Sequence, residues 1–307
     1  MLCCGNLVLD ILVRPVAGLA WGATTWVEAI QQSVGGNGAN TSFALATLGN
    51  PVRLLADAGA DEFGDRVLRK LESAGVDLSF VVRSGLPTAR SVVLVHPGGA
   101  RALLHQPGAS RDAFAAGFEF TADLIAGCDR FHLANIFALP ALEPLAAGLL
   151  RDARQAGLHT SLDTGWDARG GWMKALAPCL PGVDLLFVNE EEAHRLTGHT
   201  EPEAAARIFR EHGAADVVVK LGERGCAVFA ASESFYAPGF TVPVADTTGA
   251  GDCFVGGFLA ALQRGYEYRD AARFANAVGA LSVRHLGGVG GLLTFSETVR
   301  WLEDRSS

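Results

Sequence analysis

The sequence has no long apolar run and little positive charge, and each absence argues against a class of protein. Every apolar stretch meets a charged residue or a proline before the ~18 residues that a membrane helix needs; the 131–150 stretch, for example, contains Pro140, Glu143 and Pro144. The N-terminus has no basic start and carries Asp10 in its apolar run, so we expect no secretory signal. Lys and Arg number 25 against 33 Asp and Glu, a net charge of −8. A general nucleic-acid binder needs a net basic face, so we expect neither a nucleic acid nor a membrane as partner.

Motifs for several other kinds of chemistry are also absent. None of the six cysteines forms a C-x-x-C pair, so we expect reduced cysteines that act as small hydrophobic residues in a cytoplasmic protein. No G-x-x-x-x-G-K-[ST] loop occurs, which argues against a P-loop nucleotide enzyme. Residues 249–254 match only the first half of G-x-G-x-x-G and lack the acidic residue about 20 positions on, so a dinucleotide-dependent oxidoreductase stays a distant alternative.

Glycine is what the sequence has in excess. It accounts for 37 of 307 residues, about 12% where about 7% is usual. The excess is concentrated in three clusters: Gly35, Gly36 and Gly38; Gly249, Gly251, Gly256 and Gly257; Gly287, Gly288, Gly290 and Gly291. We interpret the clusters as places where backbone, and not side chain, meets a ligand.

Strand-like and helix-like segments alternate from about residue 120 onward. Strands are predicted at 130–134, 158–163, 184–188 and 216–220, with helices at 141–156, 171–180, 190–196 and 202–212 between them. This order is typical of a mostly parallel sheet with helices on both faces, and therefore of a three-layer αβα sandwich. Near the start we expect one buried strand at 2–8, with Asp10 just past it, and a helix at 37–48.

Two polar extended pieces interrupt the early part of this order. They cover about 11–33 and 88–106, and the second is a predicted hairpin around Pro97-Gly98-Gly99. Since no linker separates them from the rest, we predict one α/β domain over residues 1–307 into which these pieces insert a small β-lid.

The densest motif is Asp246-Thr247-Thr248-Gly249-Ala250-Gly251-Asp252, which leads into an apolar helix. A helix start exposes unpaired N–H groups and carries a partial positive charge. Gly249 and Gly251 have no side chains, so a phosphate can reach these amides. Asp252 would repel a static phosphate, but it suits a base that takes a proton from an attacking hydroxyl. The motif alone leaves open that Asp252 is only a helix-start acid beside a tight turn.

A second motif, Gly35-Gly36-Asn37-Gly38-Ala39-Asn40, also leads into a predicted helix. Paired glycines let a ligand approach the backbone, and Asn37 and Asn40 can bind hydroxyl groups. A simple N-cap role for Asn37 remains open. Asp10 is expected at the same edge of the sheet, where the carboxyl ends of parallel strands bind ligands.

The two motifs, in this order and about 210 residues apart, resemble those of the ribokinase-like carbohydrate kinases, the PfkB family. The resemblance covers nearly the whole chain, since Asn6, residues 189–192 and residues 219–222 also fall where the family has matching elements. It implies transfer of a phosphoryl group from ATP, with Mg²⁺, to a hydroxymethyl group of a small sugar or sugar derivative. It also implies K⁺ as a second cation in many relatives, and a homodimer through the lid. A nucleoside kinase of the adenosine-kinase type and a non-catalytic sugar- or nucleotide-binding regulator remain alternatives.

The resemblance also implies a role for individual residues. Asp252 would be the base, and the amides of Gly249, Ala250 and Gly251 would form the anion hole. The residues expected to bind the sugar are Asn6, Asp10, Gly35, Gly36, Asn37, Asn40 and Asn135. Those expected at the nucleotide are Asn189, Glu192, Lys220, Gly222 and, at the adenine edge, Asn276. Glu192 would hold magnesium through water, and Asp246 and Thr248 match the place of the monovalent cation.

Some positions depart from the best-known members of the family. Residues 163–167 read Asp-Thr-Gly-Trp-Asp where the family often has D-x-N-x-R. Asn37 stands where ribokinase has lysine, and Asn135 where ribokinase has a glutamate that holds the sugar. These departures argue against ribose itself. Arg90, Arg101 and His105 on the predicted lid are either solvated charges or groups that face a polar or acidic substrate.

Overall fold

The strands divide between a large sheet and two small ones. The computed structural model describes residues 1–98 and 101–305. Its strands are β1 (Leu2–Gly5), β2 (Val8–Arg14), β3 (Ala29–Gly35), β4 (Arg53–Leu55), β5 (Asp57–Gly59), β6 (Val82–Ser84), β7 (Ala89–Val95), β8 (Arg101–Gln106), β9 (Arg130–Ala134), β10 (His159–Asp163), β11 (Leu185–Asn189), β12 (Asp216–Lys220), β13 (Cys226–Phe229) and β14 (Ser234–Ala237).

Across the described residues, the main sheet has eight strands in the order β4-β1-β9-β10-β11-β12-β13-β14. All pairs from β4 to β12 are parallel, whereas the pairs β12–β13 and β13–β14 at one edge are antiparallel. The predicted mostly parallel sheet is therefore confirmed. Its carboxyl edge collects the ends of β1, β9, β10, β11 and β12, which is where an open parallel sheet presents ligand-binding groups.

Helices cover both faces of this sheet. They are α1 (Asn37–Thr47), α2 (Glu62–Ala74), α3 (Ala122–Ile125), α4 (Ala146–Gln155), α5 (Met173–Leu176), α6 (Glu190–Thr197), α7 (Pro202–Glu211), α8 (Ala250–Gln263), α9 (Tyr268–Ser282) and α10 (Phe295–Glu303). One hydrophobic core lies under α1, α2, α8 and α9, and the other under α4 to α7. Successive residues of β11 alternate between them, since Phe187 packs in the first core and Leu186 and Val188 in the second. None of the helices in the described ranges is long and apolar enough to span a bilayer.

A four-stranded sheet, in the order β3-β2-β7-β8, combines strands from both of the polar extended pieces. All six residues of its edge strand β8 are exposed. The prediction of one strand over 2–8 is wrong, because the chain leaves the main sheet after Gly5 and enters β2 at Val8. Asp10 therefore lies within the small sheet and not just past a strand of the main sheet. Of the predicted hairpin turn, Gly99 lies outside the described residues.

The start of α1 lies directly on the end of β1. A Cβ added at Gly5 would lie 2.6 Å from Gly38 Cα, and one added at Gly38 would lie 2.6 Å from Gly5 Cα. Only glycine at both positions permits this approach. As a result, the first glycine cluster sits at the carboxyl edge of the main sheet, next to Asn6.

Candidate active site

The two motifs meet at the carboxylate of Asp252. Asp252 lies in the first turn of α8, is only 7% exposed, and accepts hydrogen bonds on both oxygens. Asn37 Nδ2 donates to Oδ1 at 2.7 Å and Asn40 Nδ2 donates to Oδ2 at 2.9 Å. Helices α1 and α8 pack against each other, which brings together residues that are more than 200 positions apart in the chain. The carboxylate is therefore fixed in orientation at the start of a helix.

The environment of Asp252 raises its pKa to about 6. Burial is the largest cause, and the negative charge of Asp163 adds to it. The hydrogen bonds from Asn40 and Asn37 and the charge of Lys220 act in the opposite direction. At neutral pH most molecules still carry the ionised form, so Asp252 can accept a proton.

A chain of amide groups holds Asn37. Asn135 Nδ2 donates to Asn37 Oδ1 at 2.8 Å, and Asn6 Oδ1 accepts the backbone N–H of Asn37 at 2.8 Å. Asn135, in a left-handed conformation with φ of 61°, accepts in turn from the amides of Phe137 and Ala138 at 3.1 Å. Because Asn37 Oδ1 accepts from Asn135, its Nδ2 is left to donate to Asp252. Three predicted sugar ligands, Asn6, Asn37 and Asn135, are thus joined in a network that orients the Asp252 carboxylate.

The first glycine pair connects β3 to α1 and lies beside Asp10. A Cβ added at Gly35 would lie 2.1 Å from Asp10 Oδ2, and Gly36 has φ of 90° with a Cβ position 2.6 Å from Asn6 O. Asp10 is buried, and this burial is the main reason why its pKa is raised to about 6, with the charges of Asp252 and Asp246 contributing. The carboxylate of Asp10 is therefore a hydrogen-bond acceptor close to that of Asp252.

A row of polar side chains crosses the small sheet at the level of Asp10. The strand registers pair Asp10 with Ser33 and Ser91, and Ser91 with His105. Ser91 Oγ and His105 Nδ1 lie 3.1 Å apart, and a hydrogen bond from Ser91 lowers the pKa of Asp10 against the effect of burial. One face of the small sheet thus presents hydroxyl-binding groups. Arg90, in contrast, lies on the opposite face, where it donates to Gln106 and packs over the Phe63 ring.

The loop before α8 has the open helix start that the motif predicts. Gly249 is the N-cap residue with φ of 69°, and no side chain caps the helix. A Cβ at Gly249 would lie 2.8 Å from Gly288, so the second and third glycine clusters touch here. The amide of Ala250 donates to Thr247 O at 3.3 Å, which is a long hydrogen bond within the turn. An anion at this loop would meet the helix dipole and the amides of Gly249, Ala250 and Gly251.

A lysine lies beside this loop. Lys220, at the end of β12, donates to both oxygens of Asp163 at 2.8 and 2.7 Å. A Cβ added at Gly251 would lie 3.4 Å from Lys220 Nζ, so the ammonium group adjoins the predicted phosphate position. The sequence prediction did not include Asp163, although its place at the carboxyl end of β10 is a signal that could have found it.

Asn189 and Glu192 form a capping box at the start of α6. Asn189 Oδ1 accepts from Glu192 N at 2.8 Å, and Glu192 Oε2 accepts from Asn189 N at 3.1 Å and from Thr164 Oγ1 at 2.9 Å. Burial raises the pKa of Glu192, and the charge of Lys220 opposes this. Both of these bonds to the Glu192 carboxylate end on Oε2, so Oε1 fits the role of acceptor for a water on magnesium, which binds with few protein ligands.

Asp246 and Thr248, the residues matched to a monovalent cation, contact each other and an arginine. Asp246 Oδ1 accepts from Thr248 N at 2.9 Å and from Thr248 Oγ1 at 2.7 Å, while Oδ2 accepts from Gly287 N at 3.0 Å. Arg101, the first residue of β8, donates from Nη1 to Thr248 Oγ1 at 2.7 Å and lies 3.9 Å from Asp246 Oδ1. The small sheet and the loop before α8 are joined by this contact, and the sequence did not predict it.

Asn276 and Gly222, two residues predicted to bind the nucleotide, lie outside the hydrogen-bond network around Asp252. Asn276 Nδ2 donates to Ala237 O and Pro238 O at 3.1 Å each, so this amide joins α9 to the end of β14. Gly222 begins a 3-10 turn after β12, has φ of 60° and faces open space. The predicted adenine-edge role of Asn276 would therefore have to use its Oδ1.

Comparison with known sequences shows the family. The profile of the pfkB family carbohydrate kinases matches residues 4–294. The chain therefore belongs to this family, whose members are enzymes that transfer phosphate to a sugar hydroxyl. It is 29% identical to fructokinase-1 of Oryza sativa subsp. japonica, covering 97% of this chain and 96% of the relative. It is 31% identical to 2-dehydro-3-deoxygluconokinase of Thermoproteus tenax (85% and 83% covered) and 34% identical to ATP-dependent ribose-1-phosphate kinase of Halopiger xanaduensis (85% and 84% covered).

Solved structures show the same fold. Arabidopsis thaliana ribokinase complexed with ribose and ATP superposes with a TM-score of 0.86 at 26% identity, covering 98% of both chains. A candidate ribokinase II of E. coli in complex with ATP and Mg²⁺ superposes with a TM-score of 0.84 at 25% identity, covering 99% of this chain and 98% of the other. These likenesses confirm the predicted ribokinase-like α/β sandwich and the sugar-kinase function class.

Proposed function

We propose that this chain transfers the γ-phosphoryl group of ATP, with Mg²⁺, to a hydroxymethyl group of a small neutral sugar. The observation that carries the proposal is the carboxylate of Asp252, which Asn37 and Asn40 hold at the start of α8 beside the Gly249–Gly251 loop. A carboxylate there opposes simple phosphate binding. It is what transfer to an alcohol needs, because the attacking hydroxyl must lose a proton next to the phosphate.

In the proposed reaction, the sugar hydroxyl donates a hydrogen bond to Asp252 and its oxygen attacks the γ-phosphorus in line. The new O–P bond forms as the bond to the bridging oxygen of ADP breaks, and the hydroxyl proton passes late to Asp252. The amides of Gly249, Ala250 and Gly251, the dipole of α8 and the Lys220 ammonium stabilise the charge on the transferred group. Asn189 and Glu192 would hold magnesium through water, and the ion would neutralise charge on the phosphate oxygens.

The charges around Asp252 favour a neutral substrate. Asp10 and Asp252 lie close enough for Asp252 to raise the pKa of Asp10. Lys220 binds Asp163 and Arg101 lies against Asp246, so each of these cations already has an acidic partner. A sugar acid or sugar phosphate would therefore approach net negative charge, whereas sugar hydroxyls can donate to Asp10. Among the three relatives named above, the fructokinase is named for a neutral sugar, whereas the other two are named for a sugar acid and a sugar phosphate. The charges of this site support a substrate of the first kind.

The experiment is a screen for ADP formation with MgATP across neutral aldoses and ketoses, sugar acids, sugar phosphates and nucleosides. We expect ADP formation that depends on a neutral sugar. The Asp252→Asn variant should bind ATP and sugar but lose roughly 10²- to 10⁴-fold in turnover, the usual contribution of a general base. Turnover of Asp252→Asn at the wild-type rate would contradict the assigned base. ADP formation with sugar acids alone would contradict the neutral-sugar assignment.

We also propose that residues 1–307 form one kinase domain in which the small sheet β3-β2-β7-β8 acts as a lid, and that two copies pair through this lid. The support is apolar exposure: Trp21 and Trp26, between β2 and β3, are almost fully exposed, and Ile30 and Leu104 on the sheet are about two-thirds exposed. Exposed apolar groups beside an unpaired edge strand favour association. Light scattering should give a dimer mass, and Trp21→Ser with Trp26→Ser should lower it to a monomer; an unchanged mass would reject lid pairing.

A further inference from the structure

An arginine of the small sheet reaches across to the loop that precedes α8. Arg101 Nη1 donates to Thr248 Oγ1 at 2.7 Å and lies 3.9 Å from Asp246 Oδ1. The Asp246 side chain is 2% exposed, whereas that of Arg101 is 32% exposed. The strand registers place Arg101 on the same face of the small sheet as Asp10 and Ser91. This face is the one turned toward the phosphate loop.

The buried charge of Asp246 is an electrostatic problem for that loop. Asp246 precedes Gly249 by three positions, so its carboxylate lies close to where polyphosphate would bind. Thr248 N, Thr248 Oγ1 and Gly287 N all donate to it, but all three donors are neutral. Hydrogen bonds of this kind orient a carboxylate without removing its net charge, and a buried charge calls for an ionic partner. Arg101 is the cation that the structure places against it.

We propose that Arg101 is a positioning residue that neutralises Asp246 and thereby completes the phosphate site when the lid lies against the main body. In this chain a guanidinium of the lid supplies the positive charge that the family resemblance assigns to a monovalent cation. The inference rests on the kinase function proposed above and deepens it, because it couples the lid that would cover the sugar to the loop that would bind ATP.

The donors around Asp246 and Thr248 do not suit a bound potassium ion. Such an ion needs oxygen lone pairs turned toward it, as hard cations do in general. Here Asp246 Oδ1 already accepts from both Thr248 N and Thr248 Oγ1, and Thr248 Oγ1 in turn accepts from Arg101, so the guanidinium occupies the side on which these two oxygens meet. A guanidinium 3.9 Å from Asp246 would also repel a second cation at the same carboxylate.

The test compares Arg101→Gln with Arg90→Gln, a matched control on the same sheet whose side chain lies on the opposite face with Gln106 and Phe63. MgATP binding by calorimetry and the melting temperature are measured in potassium and in choline chloride at equal ionic strength. We expect the wild type and Arg90→Gln to behave alike in both salts. Arg101→Gln should bind MgATP roughly tenfold more weakly in choline, as for a truncated charge pair, and should regain affinity in potassium or with added guanidinium. Arg101→Lys should retain most of the affinity.

Two results would overturn the proposal: MgATP affinity of Arg101→Gln equal to that of Arg90→Gln in choline, or wild-type affinity that rises roughly tenfold on adding potassium. Asp246→Asn in the Arg101→Gln background adds a further check, since removing the unpaired acid should restore MgATP affinity if neutralisation is the role of Arg101. These measurements need no turnover. A wild-type protein that binds MgATP in the expected pattern but forms no ADP with any sugar would refute the kinase function and leave this inference standing.

Discussion

The stability of the Asp252→Asn variant relative to the wild type should depend on pH. The folded-state pKa of Asp252 is raised from 3.8 to about 6, mainly by burial. Between these values the folded protein holds a proton that the unfolded chain has lost, so the wild type is most favoured below pH 3.8 and loses this stability as pH rises through about 6. A shift of about two pH units corresponds to about 3 kcal/mol of unfolding free energy once the carboxylate is fully ionised.

The variant cannot ionise, so it avoids this cost. It does lose an acceptor for either Asn37 or Asn40, at about 1–3 kcal/mol, but that loss does not vary with pH. The difference in unfolding free energy should therefore shift by about 1.5 kcal/mol in favour of the variant between pH 5 and pH 8. Urea unfolding followed by tryptophan fluorescence at several pH values measures it, and the pH-independent loss cancels in the comparison.

The unfolding free energy of Asp252→Asn minus that of the wild type should rise from pH 5 to pH 8. If this difference stays constant or falls, the reasoning about a buried charge at Asp252 is refuted. Ionisation of Asp252 lowers stability, but the proposed reaction requires it, because only the ionised carboxylate can accept the hydroxyl proton. Wild-type kcat/KM should fall about tenfold per pH unit below about 6. An acid limb centred near the ordinary aspartate value of 3.8 would contradict it.

Three further substitutions test other parts of the site. Gly251→Val places a branched side chain next to Lys220 Nζ, at the start of α8. MgATP binding, measured by calorimetry, should therefore be lost while the melting temperature changes little. Unchanged affinity would mean that this loop does not contact phosphate. Gly36→Ala places a Cβ 2.6 Å from Asn6 O on a residue with φ of 90°. This substitution should lower the unfolding free energy, measured in urea, by about 1–3 kcal/mol. An unchanged unfolding free energy would show that the turn can relax. Lys220→Met leaves the buried Asp163 carboxylate without its cation and should lower the unfolding free energy in urea by about 3–5 kcal/mol. An unfolding free energy equal to that of the wild type would show that the ion pair does not stabilise the fold.

The residues around the two helix starts could be predicted because their types have a local meaning. Glycine before a helix exposes backbone amides, and an acid in the first turn beside them is suited to take a proton there, although first turns also carry acids for structural reasons. The motif at 246–252 therefore predicted both the anion loop and Asp252. Segment order also predicted the parallel sheet, since strands that alternate with helices must be joined by crossovers.

Other features depended on contacts that no local pattern encodes. Lys220 meets Asp163 because β10, β11 and β12 are neighbours in the sheet. Asn135 meets Asn37 because β9 lies beside β1, on which the start of α1 rests. The stretch at 2–8 was predicted as one strand because apolar residues lie on both sides of Gly5 and Asn6. The glycine was a signal of an interruption, but which sheet each half joins depends on pairing with distant strands.

The sequence by itself determined the chemistry that this protein carries: glycine-rich helix starts, an acid among them, and a parallel sheet to bring them to one edge. Only the tertiary structure decided which charges are paired. It brought Arg101 from the small sheet to Asp246 and Thr248, joined Asn6, Asn37 and Asn135 in a network that leads to the Asp252 carboxylate, and buried Asp252 so that its pKa rises. The physical reason is that burial and ion pairing depend on distances between segments far apart in the chain, and these are set by strand order and helix packing.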